Sequence, residues 1–219
     1  MVQWSFSSLK DFINCPKQYY HTKVAKDIAK KDTVHTIYGK EVHKALETYV
    51  RDGTPLPKNY EIYKKTLDEL IAIPGKKYTE FEMALTPDRE VCDFEAPHRW
   101  VRGIADLLII DGADAYIVDY KTGNNRYADT KQLKLMALMA FAHFPDIQNI
   151  KAGLLFILRN SFVTEEYNKS HEQKLWAEFL PILNRLENAF TTNAWPPQPS
   201  GLCGWCPVKT CVHHKDNAE

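Results

Sequence analysis

No part of this chain stays apolar for long. Its most hydrophobic run, LKLMALMAFAHF from Leu133 to Phe144, is shorter than the roughly 20 residues that span a bilayer. The opening residues show no apolar run after a basic cluster, so a signal peptide is not expected and a cytoplasmic protein is. Net charge is missing too: 28 basic and 28 acidic residues cancel, which neither supports nor excludes a nucleic-acid partner. Internal repeats and low-complexity tracts are also lacking. Cysteine is scarce and odd in number, at positions 15, 92, 203, 206 and 211. Three of the five crowd near the C-terminus, which does not suit the disulfide framework of a secreted domain; metal binding fits better.

What remains is enough for a real core. The 219 residues are 44% hydrophobic and 12% aromatic, which suits one domain with an appendage. Charge is unevenly spread: Lys17, Lys23, Lys26, Lys30, Lys31, Lys40 and Lys44 face only Asp27, Asp32 and Glu41 across that span. Such a stretch is either a basic face that meets phosphates or a solvated helix surface.

Periodicity predicts a mixed α/β chain. An N-terminal helix starts with Ser7 or Ser8 as its cap and runs through LKDFINC, with Pro16 at the following break. A second helix covers about Val34 to Val50 and a third about Tyr60 to Ile71. Tyr78 to Leu85 alternates as a strand, with Phe81, Met83 and Leu85 on one face and Glu80 and Glu82 on the other. Trp100–Ile110 and Ala115–Lys121 flank the turn Asp111-Gly-Ala-Asp114, a hairpin signal. A helix then spans Thr130 to His143, a buried strand Lys151 to Arg159, and a further helix Glu172 to Phe190. The boundaries follow: residues 1–33 carry a helix, lysines and Cys15, residues 34–194 form the core, and residues 195–219 are a cysteine-rich tail of one domain spanning 1–219.

The stretch IVDYKTG ends the second hairpin strand with Asp119 and Lys121 two positions apart, so they share a face. Alone, this is as easily a surface ion pair. If the hairpin closes with Ile110 opposite Ala115, however, Asp106 stands across from Asp119. Opposed carboxylates destabilise a hairpin, and a divalent cation held by oxygen ligands is the natural compensation. His43 lies on the second helix, one turn after Gly39 and one turn before Glu47. A glycine inside a helix costs about 1 kcal/mol against alanine, which a close approach on that face would explain.

Taken in order, these motifs resemble the PD-(D/E)XK nuclease superfamily, in its RecB-like branch. GKEVH (Gly39–His43) looks like the branch's G-x-x-x-H helix, RGIAD (Arg102–Asp106) like its G-x-x-D strand, and DYK (Asp119–Lys121) like its D/E-x-K motif. Gln132 looks like the glutamine of the helix that follows. WSFSSLKDFINCPKQYY and CGWCPVKTC resemble the two ends of the iron–sulfur members, a group with AddB-type helicase–nucleases and CRISPR-associated iron–sulfur exonucleases; free-standing phage exonucleases are also similar. Two departures stand out. Met136 occupies the place of the branch's tyrosine four residues after the glutamine, so either Tyr127 supplies the aromatic or that DNA contact is absent, and the cysteine trio is spaced C-x₂-C-x₄-C, where the relatives often have one more residue between the last two.

The resemblance implies a restriction-endonuclease-like α/β core whose mixed sheet is flanked by helices, with a cysteine-stapled appendage. It implies a metal-dependent deoxyribonuclease, most simply an exonuclease acting on free or single-stranded DNA ends in replication, recombination or repair. His43, Asp106, Asp119 and the Tyr120 carbonyl would hold Mg²⁺ or Mn²⁺. Lys121, beside two carboxylates, would position a water or stabilise charge rather than act as a base. Gln132 would orient substrate or Lys121, with Glu80 or Glu82 in support. Cys15, Cys203, Cys206 and Cys211 suit either [4Fe–4S] or structural Zn²⁺ by ligand type, and the resemblance favours iron–sulfur; His213 and His214 keep a mixed zinc site open. Cys92 reads as a plain structural residue. The competing reading is a nucleic-acid-binding or recombination-partner module that keeps the fold and has lost catalysis.

Overall fold

Two compact units make up the chain, one formed by Thr33–Trp176 and the other by Met1–Asp32 together with Ala177–Glu219. The computed structural model describes residues 1–29, 33–125 and 128–217; Lys30, Lys31 and Asp32 of the lysine-rich stretch, and Tyr127, lie outside the described residues.

The larger unit is built on a five-stranded sheet: β1 (Lys76–Leu85), β2 (Val101–Asp111), β3 (Asp114–Lys121), β4 (Asn149–Phe156) and β5 (Ser161–Asn168), in that spatial order. The β1–β2, β2–β3 and β4–β5 pairs are antiparallel, and β3–β4 is parallel. The hairpin closes with Ile110 opposite Ala115, the register expected from its turn residues. Gly75, at φ +105°, is required where the chain enters β1, because a Cβ there would lie 2.2 Å from the Ile110 carbonyl oxygen.

Helices cover both faces of the sheet. Helix α3 (Val34–Asp52) is opened by a Thr33/Thr36 capping box and closed by Gly53 in the left-handed region. Its Val42 and Leu46 pack with Tyr60, Tyr63, Leu67 and Leu70 against Leu107, Ile109, Val118, Tyr120 and Leu155 of the sheet and Ile157 just beyond it. The helix expected from Tyr60 onward splits. Lys58–Tyr63 forms a 3₁₀ turn in which Tyr60 and Tyr63 stack, as side chains three apart do in that tighter coil, and α4 (Lys64–Ala72) follows. On the other face lies α5 (Lys131–His143), buried almost all round from Leu133 to Phe141, as the helix linking two parallel strands must be. Its apolar run therefore belongs to the core. Among the described residues no helix is long and apolar enough to cross a membrane.

Three expectations shift. The strand expected over Lys151–Arg159 ends at Phe156, and Ile157–Arg159 coils into a 3₁₀ turn closed by Asn160 at φ +45°. That turn leads into β5, an edge strand the sequence reading missed. Its exposed Thr164, Glu165 and Glu166 are what an edge strand carries to discourage further pairing, and they hide its alternation. The helix expected over Glu172–Phe190 is two, α6 (Glu172–Ala177) and α7 (Leu180–Thr192), because Pro181 takes the first turn of the second.

In the smaller unit, α1 (Phe6–Asn14) is capped by Ser5 rather than by Ser7 or Ser8, with Ser8 returning the reciprocal bond. Pro16 opens α2 (Pro16–Tyr19), which widens into a π turn over Tyr20–Val24. Phe12, Tyr19, Tyr20 and Phe190 pack their rings around Trp195, tying the residues after α7 to the N-terminal helices.

Candidate active site

At the end of β3, where the chain leaves the sheet, Asp119 is 3% exposed. Gln132, on the first turn of α5, donates its amide to Asp119 Oδ1 at 2.6 Å. The same side chain accepts from Lys121 Nζ at 2.9 Å through its carbonyl oxygen. Lys121 Nζ pairs with the buried Asp119 Oδ2 at 2.5 Å. The three side chains form a closed triangle, so Gln132 fixes both partners at once. Burial, reinforced by the charge of Asp106, pushes the Asp119 carboxyl up to about 6.

Asp106 lies across from this triangle, just past the last paired residues of the hairpin, Leu107 and Val118. Its Oδ2 accepts the Tyr120 backbone N–H at 2.6 Å. It also stands 3.4 Å from His43 Nδ1, while the His43 ring meets Tyr120 edge-on. Burial works to lower the His43 pKa, but its bond to Asp106 and the charges of Asp106, Asp119 and Glu80 outweigh it and raise the value.

Glu80 joins the group through a backbone irregularity. It sits inside β1 at φ +47°, although Thr79 pairs with Leu107 and Phe81 with Ala105 in unbroken register. The left-handed residue reverses the strand's alternation without inserting a residue. Tyr78 and Phe81, three apart, consequently share a face and both meet Phe144. The expected pairing of Glu80 with Glu82 on one face is thereby corrected: Glu82 is exposed, whereas ligand atoms of Glu80, His43 and Asp106 all lie within 4.8 Å of one another. Burial first, then the charge of Asp106, pushes the Glu80 carboxyl up to about 7. Nothing in sequence periodicity marks a non-glycine residue in the left-handed region, so this separation was not legible there.

The donor set suits a divalent cation. The Glu80 and Asp106 carboxylates and the His43 imidazole converge, and Glu80 and the neighbouring Asp119 hold their protons unusually tightly. A hard cation satisfies such oxygens. Gly39 lies over the loop that follows Lys121. A Cβ there would stand 3.5 Å from Thr122 Oγ1, an ordinary contact, so the approach is close without demanding glycine. Met136, where the resemblance expects a tyrosine, is 5% exposed and belongs to the core.

The smaller unit brings its cysteines together. Cys15, Cys203, Cys206 and Cys211, all free thiols, line one cavity of about 280 Å³ with Trp205, His213 and His214. Backbone N–H groups point at two of the sulfurs, from Gln198 to Cys15 at 3.4 Å and from Ser200 to Cys203 at 3.3 Å. Burial pushes the Cys206 thiol up, with the other three thiols adding to the effect. Cys92 belongs to the other unit.

Comparison with known proteins agrees with this arrangement. No curated protein matches the chain. Among solved structures, a protein named as a candidate exonuclease from Eubacterium rectale is similar at 13% identity and a TM-score of 0.55, over 93% of this chain and 86% of that one. The protein SSO0001 is similar at 14% identity and a TM-score of 0.50, over 95% and 84%. Identity this low speaks for the fold alone. The sequence model of the PD-(D/E)XK nuclease superfamily matches residues 3–211, a span that holds the sheet, the Asp119–Lys121 pair and all the cysteines, and the chain therefore belongs to that superfamily.

Proposed function

We propose that the protein is a divalent-metal-dependent deoxyribonuclease of the RecB-like branch, acting as an exonuclease on DNA ends in replication, recombination or repair. The observation that carries this reading is the Asp119, Lys121 and Gln132 triangle beside the cluster of His43, Glu80 and Asp106. Clustered carboxyls with raised pKa values mark a candidate ligand site. His43, Asp106, Asp119 and the Tyr120 carbonyl would hold Mg²⁺ or Mn²⁺, with Glu80 supporting from β1. When bound, the ion supplies a water of lowered pKa and polarises the phosphate.

The chain's own groups do the rest. Hydrolysis forms a bond from the water oxygen to phosphorus and breaks the bond to the leaving sugar oxygen, which takes up a proton. Charge builds on the phosphoryl oxygens meanwhile. Lys121, held by Gln132 and Asp119, presents its ammonium to that charge, and its position costs no rearrangement as the reaction proceeds. Gln132 acts through the other two as a positioning residue.

The four cysteines are read as holding a [4Fe–4S] cluster. Four thiolates suit [4Fe–4S] or Zn²⁺ by ligand type, and the resemblance to the iron–sulfur members favours the cluster. When bound, the cluster staples Cys15, at the junction of α1 and α2, to the C-terminal tail.

The test is digestion of end-labelled linear and closed circular DNA with Mg²⁺ or Mn²⁺ by wild type and Asp119→Ala. Loss of linear DNA alone, absent in the variant, is the expected result. Binding without cleavage of either DNA, by anaerobically prepared protein under both metals, would replace it with the binding-module reading.

A further inference from the structure

Tyr120 stands between Asp119 and Lys121, and its side chain takes the opposite face of β3 from theirs. It is 2% exposed and packs with Val42 and Leu46 of α3, where the His43 ring meets it edge-on at 5.9 Å between centroids. Its backbone N–H is given to Asp106. Its hydroxyl is buried, yet among the described residues it has no hydrogen-bond partner. Burial, then the charges of Asp106 and Glu80, raise the phenol pKa, so the group is a neutral O–H donor with two carboxyls close by. Neither carboxyl accepts its proton. A buried donor left in that condition is costly, and phenylalanine would fill the same space without the cost. Polar groups that face one another beyond bonding reach are commonly joined by a water, and a small hard cation such as Mg²⁺ keeps several waters when protein groups hold it.

We infer that Tyr120 is a positioning residue of the metal site, whose hydroxyl donates to a water in the shell of the cation bound beside His43, Asp106 and Glu80. The inference rests on the metal-site reading above and adds a residue to it. Tyr120 then acts twice: its ring packs against the edge of His43 and fixes that imidazole, and its hydroxyl gives one shell water a direction. Hydrogen bonds from behind the ligands orient a metal site in this way. The acceptor arrives with the cation, which accounts for a donor that finds none among the chain's own groups.

The test is Mn²⁺ binding to the full chain, by calorimetry and by melting temperature with and without Mn²⁺, for wild type, Tyr120→Phe and Tyr63→Phe. Tyr120→Phe removes an unbonded hydroxyl, so the metal-free variant is expected to melt at or above the wild-type temperature. It should bind Mn²⁺ about tenfold more weakly and gain less in melting temperature when Mn²⁺ is added. Tyr63 is the control. Its hydroxyl is bonded to Tyr38, so Tyr63→Phe should lower the metal-free melting temperature and leave Mn²⁺ affinity unchanged. Unchanged Mn²⁺ affinity in Tyr120→Phe would make its role one of packing and overturn the inference. A metal-free Tyr120→Phe that melts well below wild type, or does not fold, would overturn it too, because the hydroxyl would then have a partner without the cation. Equal Mn²⁺ binding by wild type and Asp106→Asn, or none by wild type, would instead overturn the metal-site reading beneath it.

Discussion

Glu80 sets the electrostatic character of the active site through its backbone. A non-glycine residue at φ +47° costs on the order of 1 kcal/mol, and this one also holds a carboxyl whose pKa is pushed up to about 7. Asp119, pushed up to about 6, and His43, raised above its ordinary value, bias the site the same way. Raised carboxyls are protonated in the folded chain at pH values where the unfolded chain has already released its protons. They therefore cost stability as pH rises through 4 to 7, and the raised histidine loses its contribution as pH climbs through its folded value. The metal-free protein should melt at a higher temperature near pH 5 than near pH 8, and added Mn²⁺ should shrink that difference; a flat melting profile would refute it. Glu80→Gln should stabilise the metal-free protein at pH 8 by about 1 kcal/mol, discounted because the carboxyl is partly exposed, and should weaken Mn²⁺ binding by calorimetry. Lys121→Ala should cut cleavage about a hundredfold or more while leaving Mn²⁺ binding in place, separating the ammonium from the metal ligands.

Elements bring these residues together at four places: Glu80 within β1, the opened end of the β2–β3 hairpin, the middle of α3 and the first turn of α5. The hairpin register was legible, since Asp111-Gly-Ala-Asp114 selects a tight turn and the turn fixes the pairing back to Leu107 and Val118. The edge strand β5 and the split of the last helix were not, since charged edge residues blur a period of two and Pro181 fits the start of a helix as well as its interruption. Two glycines test the element scale in opposite directions. Gly39→Ala should stabilise the protein by up to about 1 kcal/mol, because α3 gains propensity and the new methyl meets Thr122 only at ordinary distance. Gly75→Ala should cost about 2 kcal/mol or more, since its Cβ would collide with the Ile110 carbonyl at a positive φ. Urea denaturation of both variants checks the pair.

At the scale of the molecule, the chain keeps its two kinds of chemistry in different compact units. The carboxylates, His43, Lys121 and Gln132 lie in Thr33–Trp176, and the four cysteines lie in the unit that joins both chain ends. Cys206→Ser should therefore raise amide hydrogen exchange in α1, α2 and the tail while leaving β2 and β3 protected. Equal deprotection of the sheet would show that the cysteine-rich unit supports the nuclease core directly.

The sequence by itself determined the superfamily, the hairpin register and the order of the motifs, because turn residues, strand alternation and short spacings are local and survive without a partner. It also expected Asp106 opposite Asp119, whereas the ladder stops at Leu107 and Val118 and Asp106 instead accepts the Tyr120 N–H. Only the tertiary structure decided that Glu80 turns inward while Glu82 stays in solvent, that Gln132 bridges Asp119 and Lys121, and that Cys15 meets cysteines almost the whole chain away. Those outcomes depend on a single left-handed residue, on side chains from different elements and on chain closure, and none of them leaves a period in the sequence to read.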